Sequence, residues 1–204
     1  MRNLRSAVAL GVLMVPVVLA VEAAPRAAPK TGWWPETLER TFRDALSFSR
    51  EMMARIHHAN QLAIQVGRLA EERARSPEVR RYGKLIAADR RLQDHELLDY
   101  AATQMGMTLG PPELVMDAER DIERQRATKV AHLRTLNGIS FDRELLALVW
   151  SDNRSAIELI DHARTQVDDP NLRIMFDNTL PILHQHEKII QVLGSKAAHT
   201  SEGR

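Results

Sequence analysis

Cysteine is absent from the 204-residue chain, and this absence excludes several kinds of chemistry at once. Without a thiol there is no disulfide, no cysteine nucleophile, no thiolate metal ligand and no lipid-modified N-terminal cysteine. Charge of one sign is not in excess either, since 28 basic residues stand against 27 acidic ones. Balanced, interspersed charge lacks the electrostatic footprint of proteins that bind nucleic acid or anionic membranes. We therefore expect no nucleic acid among its partners.

Recognisable catalytic motifs are also lacking. The sequence holds no phosphate-binding loop, no nucleophile elbow and no catalytic-triad spacing. It also lacks a Glu-x-x-His pair, whose three-residue step brings both side chains to one ion in di-iron helical bundles. We therefore predict a protein that is not an enzyme, and we do not expect iron oxidation by a di-metal centre.

What is present begins with the pattern of an export signal. Arg2 and Arg5 precede an apolar run at residues 7–20, and small residues then surround a cleavage point before Ala24. The alternative is a retained membrane anchor, but a spanning helix needs about 20 apolar residues and this run is shorter and contains a proline. We predict a signal peptide at residues 1–23, a periplasmic or secreted location, and no transmembrane span after cleavage.

Everything after residue 35 has the spacing of amphipathic helices. Apolar residues recur at three- and four-residue steps, while alternating stretches are rare. Turn residues divide the chain into five predicted helices, at about residues 36–75, 77–105, 113–136, 140–167 and from 170 onward. We predict a linker at 24–35, a helical domain at 36–196 and a disordered tail at 197–204. The fold class expected is an all-α four-helix bundle in which the highly charged segment 113–136 is an extra connecting helix.

Two details of these helices are specific enough to be checked. On the second helix the inward stripe is predicted to include Tyr82, Leu85, Ile86, Leu92 and Leu97. On the last helix, Pro181 is predicted to cause a kink, because a proline inside a helix removes a backbone hydrogen bond and clashes with the preceding turn.

Five short motifs occur in an order and spacing typical of one protein family. They are Gly67-Arg68-Leu69-Ala70, Ile86-Ala87-Ala88-Asp89, Leu136-Asn137-Gly138, Phe141-Asp142, and Leu180-Pro181 with His186 five residues after the proline. Over about residues 50–193, with the export signal before them, the chain resembles an exported, ferritin-like four-helix-bundle family of unknown function. The resemblance implies a ferritin-like bundle whose polar interior positions are the place to look for a site.

The chain departs from the pattern of that family at three polar positions. Relatives typically follow the second-helix aspartate with histidine, whereas here Asp89 is followed by Arg90. They often carry histidine where this chain has Asn153, and glutamate where it has Ala63. Asp89 and His186 remain, so any metal site of the family would have lost much of its ligand set in this chain.

One metal site can still be assembled from the residues that remain. The helical registers of Asp89, Asp152 and His186 turn all three side chains toward the predicted interior. One histidine and two carboxylates from three helices would suit a divalent ion such as zinc, iron or manganese. The alternative is that these groups satisfy one another through an Asp89–His186 or an Asp89–Arg90 pair, because buried polar groups need partners.

The function predicted first is a binding or structural role in the cell envelope, with no catalytic residues and no cofactor. An envelope protein partner would contact the charged helix 113–136 or the Trp33-Trp34 segment. The alternative is a metal-binding or redox-stress protein that holds one divalent metal ion at Asp89, Asp152 and His186. The first reading follows from the complete set of amphipathic helices without a convergent catalytic set, and the second from the resemblance.

Overall fold

The computed structural model describes residues 36–202, with side chains described at 40–41 and 43–196, and its regular elements are all helices. They are α1 (Glu36–Arg73), α2 (Pro77–Met105), α3 (Asp117–Leu133), α4 (Gly138–Gln166) and α5 (Pro170–Glu202). The predicted all-α class is confirmed. The predicted signal peptide, the linker and the Trp33-Trp34 segment lie outside the described residues.

Four of the helices form a bundle made of two helical hairpins. α1 packs along α2 and α4 packs along α5, and the hairpins meet where α1 contacts α4 and α2 contacts α5. α3 connects the hairpins and has a much smaller interface, chiefly with α4. Among the described helices, none combines the length and the apolarity that crossing a membrane requires.

The boundaries of α2 follow the turn chemistry of the sequence. The Ser76 hydroxyl accepts a hydrogen bond from the amide of Val79, and Pro77 occupies the first turn, where a missing N–H costs nothing. Gly106 ends the helix in the left-handed conformation, at φ 61°, which glycine adopts without steric cost. These local signals explain why the sequence predicts this helix almost to the residue.

α3 and α5 differ from their predicted lengths. α3 begins at Asp117, because the Glu119 carboxylate accepts the Met116 amide and so caps the helix several residues later than predicted. α5 continues through Pro181 to Glu202 and so includes the backbone of 197–202. The two alanines that begin this last stretch favour helix continuation.

α1 and α2 approach most closely where two glycines face each other. A Cβ on Gly67 would lie 2.7 Å from the carbonyl oxygen of Gly83, and one on Gly83 would lie 2.6 Å from the carbonyl oxygen of Gly67. Real Cβ atoms do not approach other heavy atoms this closely, so each glycine allows the other backbone to pass. The motif that begins at Gly67 is therefore a packing motif, and it fixes the position of α2 against α1.

The bundle interior consists of two apolar clusters with a polar layer between them. One cluster includes Tyr82 and Phe141, and the other includes Leu97 and Phe176. At the sequence positions between the clusters, each bundle helix contributes at least one buried polar side chain. The most buried one on each helix is Asn60 on α1, Arg90 on α2, Asn153 on α4 and His186 on α5, and we call these four the polar layer.

The predicted inward stripe of α2 is wrong at Leu85 and Leu92, whose exposed fractions are 39% and 61%. The buried face of this helix passes instead through Arg90, Gln93 and Asp94 before it reaches Leu97. Three consecutive inward positions are thus polar, and a stripe drawn through apolar residues alone rotates the helix away from its true orientation. The hydrophobic pattern failed here because the polar layer replaces it.

Candidate functional site

His186 and Asp89, which the sequence places in one candidate site, do lie together. The Nε2 atom of His186 is 2.9 Å from the Oδ2 atom of Asp89. His186 is only 2% exposed, as predicted for an inward-facing residue, and its ring lies 5.7 Å from the ring of Tyr82. The Asp89–His186 pair that the sequence offers as the alternative to a metal site is therefore formed.

The protonation state of His186 follows from its surroundings. Burial lowers the pKa of His186, the hydrogen bond to Asp89 opposes that shift, and the nearby charge of Arg90 reinforces it. A neutral ring that donates from Nε2 to the Asp89 carboxylate leaves Nδ1 as a lone-pair acceptor. This buried Nδ1 makes no hydrogen bond within the described part of the chain.

Asp152, the third predicted ligand, is directed elsewhere. Its two carboxylate oxygens accept hydrogen bonds from Arg126 on α3, with Nε–Oδ1 at 3.0 Å and Nη2–Oδ2 at 2.6 Å. The three predicted ligands therefore do not converge, and among the side chains that the structure describes, no three histidine or acidic residues lie close enough to hold one ion. Asp152 is half-buried, and its helical register could not choose between an ion and an arginine as its partner.

The polar layer is organised around Arg90, which the sequence presents as a departure from the family and as a possible partner of Asp89. Its Nη1 donates to the side-chain oxygens of Asn60 and Gln93, each at 3.4 Å, and its Nη2 donates to Asn153 Oδ1 at 3.2 Å. Asn153 in turn donates to the Leu183 carbonyl at 2.9 Å. Arg90 and Asn153, which occupy two of the three positions where the chain departs from the family pattern, are thus hydrogen-bonded to each other.

Arg90 is a buried cation whose hydrogen bonds are all to neutral groups. It is 3% exposed, and burial lowers the pKa of Arg90 to about 10, so it keeps its charge at neutral pH. Its Nε has no hydrogen-bond partner among the described residues. The register of Arg90, one turn after Ile86 and two turns before Leu97, is the signal that could have identified it as inward-facing.

A second polar cluster lies on the α1–α2 face. The Oδ1 atom of the buried Asp94 is 2.7 Å from His57 Nδ1, and its Oδ2 atom accepts a hydrogen bond from Gln61 Nε2 at 2.6 Å. His58 faces another way, with its Nε2 3.3 Å from a carboxylate oxygen of Glu123 on α3. These adjacent histidines diverge because successive residues of a helix are rotated by about 100°.

A cavity of about 210 Å³ adjoins the polar layer and is lined by side chains of all of the first four helices and of the segment that leads into α3. We call it the α3 cavity. Its wall combines apolar and cationic side chains, and it includes Arg55, Ala63, Val66, Ile86, Arg90, Arg126, Val149 and Leu159. Neither Arg55 nor Arg126 was identified from the sequence as lining a cavity, because arginine is ordinarily expected to face solvent.

α3 is held over this cavity by ion pairs rather than by a continuous apolar face. Arg55 on α1 bonds Glu119 at 2.8 Å, and Arg126 on α3 bonds Asp152 on α4. The apolar side chain of Ile122 lines the cavity yet is 63% exposed. This attachment leaves α3 as the element whose displacement would open the cavity with the smallest loss of packing.

Comparison with known proteins identifies both a family and a set of similar folds. A sequence profile described as "Domain of unknown function (DUF4142)" matches residues 39–193. No curated protein sequence matches the chain. Solved structures of CopM in its Ag-bound, Cu(I)-bound and Cu(II)-bound forms superimpose with TM-scores of 0.57, 0.59 and 0.59 at 16% identity. They cover 72% to 74% of this chain and 96% of the CopM chain, and at this identity they show a shared helical fold.

Proposed function

The chain belongs to the DUF4142 family, a domain of unknown function, and from this premise we propose that it is an exported, non-enzymatic binding protein of the cell envelope. Its ligand is a small molecule that enters the α3 cavity. The single observation that carries the proposal is this cavity of about 210 Å³, which adjoins a buried polar layer inside an otherwise apolar bundle. Cavities with apolar walls and a few fixed polar groups are typical of small-molecule sites.

The polar groups around the cavity support binding rather than catalysis. Asp152 and His58 are lining side chains able to transfer a proton, and both are engaged with α3, through Arg126 and Glu123 respectively. Arg90 keeps its charge at neutral pH and so is suited to hold a ligand rather than to exchange protons with it. These residues offer a fixed electrostatic environment and a means of attaching α3.

An uncharged apolar probe tests whether the cavity accepts a ligand at all. We expect 1-hexanol to bind saturably with a dissociation constant on the order of 1 mM, which is typical affinity for so few heavy atoms. Amide chemical shifts in ¹H–¹⁵N spectra should change around Val66, Ile86 and Val149, which line the cavity. Shifts that remain linear in 1-hexanol concentration, or that map elsewhere on the bundle, would contradict the proposal.

Matched variants make this titration specific to the cavity. Ala59 lines the cavity, so Ala59→Leu should fill it and abolish 1-hexanol binding. The exposed Ala102 on α2 does not line it, so Ala102→Leu should leave binding unchanged. Equal loss of binding in both variants would indicate a general effect on the fold.

A protein partner is a second ligand class for the same envelope role. The predicted contact surface at 113–136 is supported by exposed apolar side chains at Val115, Met116 and Ile122. Exposed apolar side chains that cluster on a protein surface often mark a site of contact with another protein. The test passes envelope extracts over the intact chain and over a variant with serine at these three positions. A protein retained by the intact chain and not by the variant is captured specifically.

The alternative function, a metal-binding or redox-stress protein, is favoured by one observation. The buried His186 presents an Nδ1 lone pair beside Tyr82 and makes its only described hydrogen bond to Asp89, and the similar folds of CopM were solved with silver and copper. Two adjacent ligands do not by themselves make a closed site, because structural metal sites use about four. The donor set of this chain therefore fits such an ion poorly.

Elemental analysis of the mature chain, purified without an affinity tag, tests this alternative. We expect substoichiometric metal and the same unfolding midpoint in chelator and in one equivalent of copper or zinc. A bound ion at 100 times its dissociation constant would add about 2.7 kcal/mol to the free energy of unfolding. Near-stoichiometric metal that is lost in His186→Ala but kept in His95→Ala, at an exposed position, would instead establish the metal-binding function.

A further inference from the structure

We propose that the ligand of the α3 cavity is a small organic monocarboxylate, with its carboxylate held by Arg90 and its apolar body along the cavity wall. The inference rests on the proposed function, since it names the chemical class of the ligand that the cavity takes. It is drawn from the bonding partners of the arginines that line the cavity, from the burial of Arg90 and from the composition of the wall.

The charges that line the cavity leave Arg90 as the cation available to a ligand. Arg55 forms ion pairs with Glu51 and Glu119, and Arg126 forms one with Asp152. Arg90 bonds only amide oxygens among the described residues, and its Nε bonds nothing there. Asp152 and Asp89 interact electrostatically with Arg90 but form no hydrogen bond with it, because Asp152 bonds Arg126 and Asp89 bonds His186. A single guanidinium that bonds no carboxylate suits a monoanion better than a phosphate dianion.

Burial makes the absence of a hydrogen-bonded carboxylate consequential for Arg90. It is the most buried of the charged side chains that line the cavity, at 3% exposure, and a buried charge that is not directly paired is costly. A carboxylate brought to the guanidinium would form charge-assisted hydrogen bonds, which are stronger than the present bonds to amide oxygens at 3.2 and 3.4 Å. The guanidinium geometry also matches a carboxylate, which can accept two parallel N–H groups.

The remaining wall determines what the carboxylate should carry. Val66, Ile86, Val149 and Leu159 line the cavity and present apolar groups to a ligand. The cavity volume of about 210 Å³ exceeds the roughly 150 Å³ that is known to hold benzene. The cavity therefore has room for a monocarboxylate with an apolar body of about six to eight carbon atoms.

Hexanoate and 1-hexanol form the pair of probes that separates charge from apolar contact. Calorimetric titration of the full mature chain should give a dissociation constant for hexanoate about tenfold lower than for 1-hexanol, the gain expected for a charge-assisted bond. Arg90→Met should remove this preference while 1-hexanol still binds. Arg91→Met, at an exposed neighbouring position, should retain it.

A second variant keeps the test decisive where Arg90→Met fails to fold. Asn153→Asp places a carboxylate at the atom that already accepts from Arg90 Nη2, and this internal counter-charge should remove the preference for hexanoate. Equal affinity of the unmodified chain for the two probes would overturn the inference and leave the proposed function standing. Absence of binding by either probe would overturn both. A preference for hexanoate that survives in both Arg90→Met and Asn153→Asp would show that another group holds the carboxylate.

Discussion

Gly83→Ala is expected to lower the free energy of unfolding by about 3 kcal/mol, although alanine is the better helix former. The added Cβ would lie 2.5 Å from Ala70 Cβ, 2.6 Å from the Gly67 carbonyl oxygen and 2.9 Å from the Glu71 amide nitrogen. Two of these three atoms belong to the backbone of α1 and cannot move aside by a change of rotamer. The helices must therefore separate along their shared face, which loosens the packing of Ile86 and its neighbours.

Equilibrium denaturation in urea, followed by circular dichroism, measures this effect. The matched control is Gly194→Ala on α5, where an added Cβ would meet nothing within 4 Å among the described residues. Alanine at that position should raise stability by up to about 1 kcal/mol through helix propensity alone. Similar changes at positions 83 and 194 would mean that the glycine contact between α1 and α2 is not a close one in solution.

Asp142→Ala is also expected to lower the free energy of unfolding by about 3 kcal/mol. The buried Asp142 carboxylate on α4 accepts the backbone amides of Arg75 and Ser76, each at 2.8 Å. These amides form the turn between α1 and α2, so one side chain joins the two hairpins of the bundle. Its removal leaves two partly buried N–H groups without their acceptor, and bonds to a charged group are the stronger kind.

Two companion substitutions separate charge, geometry and helix effects at this position. Asp142→Asn keeps one carbonyl acceptor and should lose about half as much stability as the alanine variant. Glu144→Ala, at an exposed site on the same helix, should change stability by less than about 0.5 kcal/mol. If Asp142→Ala unfolds at the same urea concentration as Glu144→Ala, the turn does not depend on this carboxylate.

The contacts of Gly83 and Asp142 show what the family motifs contribute to the fold. Gly67 and Gly83 allow two helices to touch, and Phe141-Asp142 supplies a fully buried ring and the acceptor for a distant turn. The motif around His186 contributes to the polar layer. The segments that carry the resemblance therefore serve largely in helix packing, and for this reason they predict the fold better than they predict a function.

The candidate site was only partly accessible from sequence. Asp89 and His186 were correctly placed together, because both follow apolar residues at helical spacing. Arg90 was missed as the centre of the polar layer, because arginine is ordinarily a surface residue and nothing local to α2 indicates that amides from α1 and α4 surround it. Asp152 was assigned a metal and instead bonds Arg126, a choice between two partners that periodicity does not express.

The sequence by itself determined the number, order and approximate ends of the helices and the all-α class, because caps, turns and periodicity act over a few neighbouring residues. Only the tertiary structure decided which polar side chains meet. The His186–Asp89 pair joins residues 97 positions apart, and the Arg90–Asn153 bond joins residues 63 apart. Such pairings depend on how each helix is rotated and how closely it approaches its neighbour. Those quantities are set by the glycine contact and the sum of core packing, and no local stretch of sequence contains them.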